Sequence, residues 1–146
     1  PDAPAPRALP APPEAPPRPV TTVRPGWLER GYAFDLTEGV LTHRTFIDGG
    51  VFGPAGRVRL DDTGTELGDV SERIHEIRPD DPLSATARME QQSVMARGDW
   101  QVRIETASKM TATATEFVLE ARVTCWEGEE QFHHVDWTHR IPRNGM

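Results

Sequence analysis

Hydrophobic and polar residues alternate in short runs from Val20 to the end of the chain. Alternation places successive side chains on opposite faces of a β-strand, and β-branched and aromatic residues are frequent in these runs, which Gly, Asp and Pro interrupt. No stretch of helical length keeps an apolar repeat of 3.6 residues; residues 85–94 come nearest, with an ambiguous content of Thr, Ser and Gln. The pattern predicts nine strands, near 20–24, 29–36, 40–47, 57–60, 71–78, 84–96, 100–110, 113–126 and 130–141.

Glycines between the C-terminal runs predict tight hairpins. A three-residue loop ending at Gly128 puts this glycine in the left-handed position that such loops need. That loop pairs Phe117 with Trp137 and Leu119 with Val135, so turn chemistry and apolar pattern agree.

A second tight turn is predicted between the two preceding runs. A two-residue loop ending at Gly98 pairs Met95 with Trp100 and Ser93 with Val102, which gives a good apolar match. Four long consecutive antiparallel strands follow from these two hairpins. Because strands twist, such a meander curls.

The predicted fold class is therefore all-β. Residues 20–146 are expected to form an antiparallel meander, a curved sheet that closes as a β-sandwich or a flattened barrel. Residues 1–19 are a Pro/Ala-rich linker, because proline fixes φ and lacks an amide donor. The linker is expected to be an extended spacer, and a ligand for a proline-reading domain is the alternative.

Composition narrows the classes of partner. The formal net charge is −7 with no Lys/Arg cluster, so we expect neither nucleic acid nor a membrane as partner. The single cysteine, Cys125, excludes an intrachain disulfide and fits the cytoplasm. No apolar run approaches the ~20 residues of a transmembrane helix. A chain that starts at Pro1 is expected to be part of a longer one, whose localisation signals could lie upstream.

The segment IRPDDPLSA sets two adjacent carboxylates, Asp80 and Asp81, between Pro79 and Pro82. General acid–base chemistry would require one carboxyl group to be buried so that its pKa rises. Pro82 disfavours the α region for the residue before it, and Asp commonly bonds the backbone N–H groups of turns. The pair therefore predicts a corner between strands.

Two further clusters contain side chains that could bind a metal ion. The run LDDTGTELGD over 60–69 holds four carboxylates, but its spacing departs from a calcium loop, which favours a solvated loop. His134 and Asp136 share a strand face with no third ligand, whereas His133 and His139 lie roughly 20 Å apart on the other face. We expect no metal and a polar pair of His134 with Glu120 across the strands.

Nothing in the sequence supplies a catalytic centre. There is no G-x-S-x-G elbow and no phosphate-binding glycine loop. Alternation places Cys125 in an apolar row with Val123, which favours a buried structural thiol. Trp100 and Trp137 fall on predicted core faces. We therefore predict no catalytic residue, no metal and no cofactor, and binding residues remain unknown.

Several motifs together resemble the C-terminal region of long CocE/NonD-type α/β-hydrolases, the X-Pro dipeptidyl-peptidase and cocaine-esterase family. They are VTTVRPGWLER, DDTGTELGDVSERIHEIRPDDPLSATA, RGDWQVRIET, TATEFVLEARVTCWEGEEQF and DWTHRIPRNGM. The family's end often reads IPRD, whereas Asn144 follows Arg143 here. The resemblance implies that the chain is the β-rich segment after the jelly-roll domain, and that the Ser-Asp-His triad lies on an upstream domain.

Three functions follow as hypotheses. The first is a non-catalytic accessory β domain of a serine hydrolase of the X-Pro dipeptidyl-peptidase or esterase type, serving packing, assembly or cleft access. It predicts an exposed apolar patch for the upstream α/β-hydrolase and jelly-roll domains, or for a second copy in a homo-oligomer. The second is a free-standing binding module for a sugar or a small apolar ligand. The third, an independent hydrolase, lacks a nucleophile beside its histidines.

Overall fold

The computed structural model describes residues 13–49 and 54–144, which form one antiparallel sheet of nine strands. All nine predicted strands are present, and their ends differ from the predicted ones by at most three residues, except that β5 begins six residues before the predicted start at Ser71. The strands are β1 (Val20–Pro25), β2 (Trp27–Asp35), β3 (Val40–Asp48), β4 (Ala55–Leu60), β5 (Thr65–Arg78), β6 (Asp81–Arg97), β7 (Trp100–Ala112), β8 (Glu116–Glu127) and β9 (Glu130–Pro142).

The first four strands form two long strands, each interrupted once. β1 and β2 make up the outer one, and β3 and β4 make up the inner one. One edge of β5 pairs with β4 along its first residues and with β3 along the rest. On the outer side, β1 pairs with β4 and β2 pairs with β3. Only Gly26 separates β1 from β2, so the two form one bent edge. From β5 to β9 the order along the sheet is the order along the chain, as predicted for a meander.

The best-buried part of the sheet lies where the first strands are interrupted. Ala55, Val58 and Leu60 of β4 are the buried hydrophobic residues of the described part of the chain. The carboxylate of Asp48, at the end of β3, is also buried and accepts two hydrogen bonds from the Arg24 guanidinium. This ion pair fixes β1 to β3 at the interruption.

The register of the last hairpin differs from the predicted one. Phe117 lies opposite Ile141, and the turn is the two-residue pair Gly128-Glu129 rather than a three-residue loop. Gly128 does have a positive φ of 57°, as predicted. The predicted pairings of Phe117 with Trp137 and of Leu119 with Val135 are therefore wrong. A bulge beside Cys125 adds a further shift.

The register of the hairpin between β6 and β7 is also displaced. Its turn is Gly98-Asp99, with φ of Gly98 at 58°, and Met95 lies opposite Val102. The predicted pairs of Met95 with Trp100 and of Ser93 with Val102 are wrong by two residues. Glycine takes the first central position of this turn, where a positive φ is needed.

The prediction of an all-β antiparallel meander is confirmed, but the sheet is open and does not close into a barrel. Among the described residues, β1, β2 and β9 each have one paired edge. Most of the predicted linker, residues 1–12, lies outside the described part of the chain. Residues 13–19 are exposed, and the Arg18 guanidinium pairs with the Asp62 carboxylate at 3.0 Å. The described residues include no helix that is long and apolar enough to cross a membrane.

Candidate functional site

The two faces of the sheet differ in chemistry. Directly paired residues of an antiparallel ladder share a face, so the registers assign every strand residue to one side. We call one side the apolar face. Its large hydrophobic side chains that remain exposed are Val20, Leu28, Tyr32, Phe34, Leu41, Met95, Trp100, Ile104, Met110, Trp137 and Ile141. They extend over six strands, from β1 and β2 at one side of the sheet to β9 at the other, so this face is not a scatter of single residues.

The opposite side, here the charged face, carries ion pairs between neighbouring strands. Arg44 of β3 pairs with Glu72 of β5 and with Glu29 of β2. The Arg44 guanidinium donates a hydrogen bond to the Glu72 carboxylate, and this bond raises the pKa of Arg44 although desolvation opposes the change. Arg88 pairs with Glu76 at 2.9 Å in the same way. Among the described residues, no ion pair joins two residues of the apolar face, whereas several join residues of the charged face.

A hollow lies on the apolar face where β3, β5, β6, β7 and β8 pass side by side. Its volume is about 350 Å³, and its walls include Leu41, Ile77, Met110 and Phe117. This volume is near the lower end of small-molecule pockets. The hollow is open and almost wholly apolar, so it suits an apolar side chain or a small apolar molecule.

Three stacked rings lie in a row at this hollow, and two of them, His43 and His75, line it. The rings of Tyr32 on β2 and His43 on β3 lie 4.5 Å apart between centroids, and His43 and His75 on β5 lie 5.9 Å apart. The three residues are direct cross-strand neighbours in one row. The sequence alone does not predict this row, because it does not show which strand pairs with the one that contains His75, although alternation puts each histidine on an apolar side.

A larger groove, of about 590 Å³, crosses the charged face. Trp126 lines it, but the ring already has polar partners. Its Nε1 donates to the Glu105 carboxylate at 3.2 Å, and the Arg103 guanidinium lies 5.0 Å above the ring. The indole face is therefore covered by a cation of the same chain, which leaves no open platform for a sugar ring here.

The Asp80-Asp81 pair lies at a corner, as predicted. Pro79 and Asp80 form the two-residue turn between β5 and β6, and Arg78 lies opposite Asp81. The Asp81 carboxylate accepts from the Leu83 backbone N–H at 3.1 Å. These bonds are those of a turn, and the carboxylates do not enter a cavity.

The acidic run over 60–69 is only partly a loop. Residues 61–64 form the turn between β4 and β5, and the remainder is strand, which the prediction missed. Asp61 accepts from the Thr21 hydroxyl at 2.9 Å, and Asp62 binds Arg18. The Arg18 hydrogen bond lowers the pKa of Asp62.

The histidines of β9 separate as alternation predicts, with His134 and Asp136 on the charged face. Their side chains approach to 2.9 Å. The prediction that His134 faces Glu120 is wrong, because His134 lies opposite Thr124, whose hydroxyl is 3.0 Å from its Nδ1. In the described ranges, no group of three or more His, Cys, Asp and Glu side chains is placed to hold a metal ion.

Cys125, Trp100 and Trp137 lie on the apolar face, but none has the burial expected of it. Cys125 is half-buried, and the tryptophans are 41% and 42% exposed. The prediction of core positions is wrong for both tryptophans, since nothing in the described chain packs over this face. The alternation that placed them on an apolar side is correct.

Comparison of the chain with family models, with curated proteins and with solved structures finds no match. The geometry of the two faces therefore carries the functional argument, and the apolar face is the candidate functional site.

Proposed function

We propose that this chain is a non-catalytic accessory β domain of a serine hydrolase, and that its apolar face packs against the α/β-hydrolase and jelly-roll domains of the same protein. The parent would cleave acyl or peptide bonds, as an esterase or X-Pro dipeptidyl-peptidase does. The chain would contribute packing, assembly or access to the cleft, in the cytoplasm. Support for the parent enzyme comes from the C-terminal motifs that resemble that family.

Support for docking comes from one observation, the continuous exposure of the apolar face. Complete burial of a Leu, Met or Phe side chain stabilises by about 1.5–3 kcal/mol relative to exposure. Large exposed patches on soluble proteins mark interaction sites. A single sheet with several ion pairs on one side and large apolar side chains on the other is the form expected of a layer that another layer covers.

The test is to identify the polypeptide that contains this sequence. An antibody to the domain is used to precipitate the native protein from source-cell lysate after labelling with a fluorophosphonate, which reacts with serine hydrolase nucleophiles. We expect one labelled band several times heavier than 16.3 kDa. Heat-denatured lysate is the control for labelling that does not depend on an active site.

Two results would contradict the proposal. A heavy band that never takes the label would contradict the assignment of the parent protein as a serine hydrolase, but the proposed docking role would stand. A band at 16.3 kDa would mean that the domain exists alone. The second result would favour the other candidate, a binding module whose ligand occupies the hollow beside Leu41 and Met110. Small apolar ligands would then be screened against the hollow before any hydrolase assay.

A further inference from the structure

Two arginines in one cross-strand row of the apolar face have no partner among the described residues. Arg30 of β2 and Arg73 of β5 flank Thr45 of β3 in one cross-strand row. Neither guanidinium makes a hydrogen bond or an ion pair with another described residue. On the charged face, by contrast, most arginines of the strands have a carboxylate partner among the described residues, and Arg122 is an exception. The paired ones include Arg44, Arg57, Arg88, Arg103 and Arg140. The difference is unexpected in a chain of net charge −7, which has acidic groups to spare.

None of the described neighbours of the two arginines on this face is acidic. Direct and diagonal neighbours on this face are Leu28, Tyr32, His43, Ile47, Ser71, His75, Ala87, Met89 and Gln91. The next carboxylate along β5 on this face is Asp69, and it already accepts from Gln91 and Ser93 at 2.8 and 2.6 Å. The row therefore presents two positive charges within an apolar surface.

The geometry of the row suits a single anion. Strands are about 4.8 Å apart, so the Cα atoms of Arg30 and Arg73 are roughly 10 Å apart, and two long side chains can meet above the residue between them. That residue, Thr45, is 5% exposed and forms the floor. A guanidinium matches a carboxylate through two parallel N–H···O bonds.

We propose that the surface covering the apolar face carries a side-chain carboxylate that binds between Arg30 and Arg73, beside an apolar side chain in the hollow. The proposal rests on the docking role proposed above and names the chemistry of the partner surface. Charge complementarity carries it, because covering two unpaired guanidiniums with a purely apolar layer would be costly. The stacked rings of His43 and His75 lie one row away, between the arginine row and the hollow.

The test uses the 146-residue chain and two small probes, N-acetylphenylalanine and N-acetylphenylalaninamide. Both carry the aromatic ring, but only the first carries a carboxylate. Binding is followed by NMR, through the Nε–Hε signals of the arginines and the backbone signals of Met110 and Phe117. We expect the acid to bind about tenfold more tightly than the amide, which is the effect of one charge-assisted hydrogen bond.

Matched variants distinguish a specific carboxylate site from non-specific electrostatic attraction of the anionic probe. Arg30→Gln and Arg73→Gln should each bring the affinity of the acid close to that of the amide. Arg122→Gln is the control, because Arg122 lies on the charged face and has no ion pair in the described chain. It should change nothing. Arg30→Lys keeps the positive charge but not the paired N–H donors of the guanidinium, so it should lose part of the preference for the acid over the amide. This variant also tests the site if the glutamine variant fails to fold.

The possible results have different meanings. Equal affinity of acid and amide, with signals of Met110 and Phe117 shifted, overturns the carboxylate and leaves the apolar docking role intact. Absence of any shift on the apolar face by either probe counts against both proposals. Binding to vesicles of phosphatidylcholine and phosphatidylserine that depends on Arg30 and Arg73 would assign the face to a lipid surface and would also overturn the inference.

Discussion

Arg24 and Asp48 form an ion pair across the interruption of the first two strand pairs. The Asp48 carboxylate is 2% exposed, and the Arg24 side chain is half exposed. Nη2 of Arg24 lies 2.9 Å from Oδ1 of Asp48, and Nη1 donates to the other carboxylate oxygen. Within the described part of the chain, Arg24 is the cation that pairs with this buried carboxylate, so we expect the pair to decide whether β1 stays attached at this point.

We expect Arg24→Gln to lower the free energy of unfolding by about 2–3 kcal/mol. Removal of one partner of a buried pair leaves a charge without compensation, at a cost of about 3–5 kcal/mol when both partners are buried, and the half-exposed arginine reduces this. Urea unfolding followed by tryptophan fluorescence would measure the change. Arg59→Gln is the control, because its pair with Asp61 lies at the surface and should be worth less than about 0.5 kcal/mol. Equal losses in both variants would contradict the assignment.

Gly56 should not tolerate a larger residue. A Cβ at this position would lie 2.6 Å from Oδ1 of Asp48 and 3.0 Å from the Pro25 carbonyl oxygen. The backbone cannot yield without breaking the ion pair, so Gly56→Ala should cost about 1–3 kcal/mol, the usual cost of an overpacked site. Gly31→Ala, where a Cβ would meet nothing within 4 Å, should be neutral or slightly stabilising. Thermal unfolding of the two variants gives the comparison.

The apolar face should make the isolated chain associate with itself. We expect Ile104→Lys, which places a charge at the middle of this face, to weaken self-association at least about tenfold, because a buried lysine replaces a buried apolar side chain. Gln101→Lys adds the same charge on the charged face of the same strand and should have little effect. Sedimentation velocity over a range of concentrations would measure both. A larger effect of Gln101→Lys would mean that the chain associates through its charged face, contrary to this prediction.

Two carboxyl groups in turns, those of Asp35 and Asp62, should have pKa values below the ordinary value of 3.8. Backbone N–H groups of Glu38 and Thr37 bind the Asp35 carboxylate and hold the pKa of Asp35 below its ordinary value of 3.8. Because the folded state has the lower pKa, the carboxylate stabilises the turn above pH 3.8, and this stabilisation is lost as pH falls through the folded-state pKa.

Carboxyl carbon NMR shifts would measure both titrations. Arg18→Gln should return the pKa of Asp62 toward 3.8, since Arg18 is the main cause of its lowered value, and should leave Asp35 unchanged. A pKa of Asp35 at or above 3.8 in the unsubstituted chain would contradict the assigned hydrogen bonds. A shift of Asp35 in the Arg18 variant would mean that the two turns are coupled.

The strands of this fold could be predicted from sequence, but their registers could not. Alternation identified all nine strands and placed Trp100 and Trp137 correctly on the apolar side. The predicted registers put apolar residues directly opposite one another, whereas the turns decide the pairing. Glycine occupies the first central position of two-residue turns at Gly98 and Gly128, and this shifts each ladder. Alternation is satisfied equally well by a register two or four residues away, so it cannot choose between them.

The exposure of the apolar face was the other feature that local pattern could not settle. An alternating strand looks the same whether or not a second layer covers it. That Arg30 and Arg73 have no ion-pair partner among the described residues could not be predicted for a related reason. It depends on which residues of three strands meet at Thr45. Features that arise from one strand were predictable, and features that arise from several strands were not.

The sequential order of β5 to β9 has a consequence for how the chain folds. Each of these strands pairs with the one before it through a short turn, so little chain entropy is lost before each new pairing forms. Folding rates fall as the average sequence separation of contacts grows. The C-terminal strands can therefore zip together one after another from a single hairpin. The interrupted pairs around Asp48, where β1 must find β4 across some forty residues, should be the slow step.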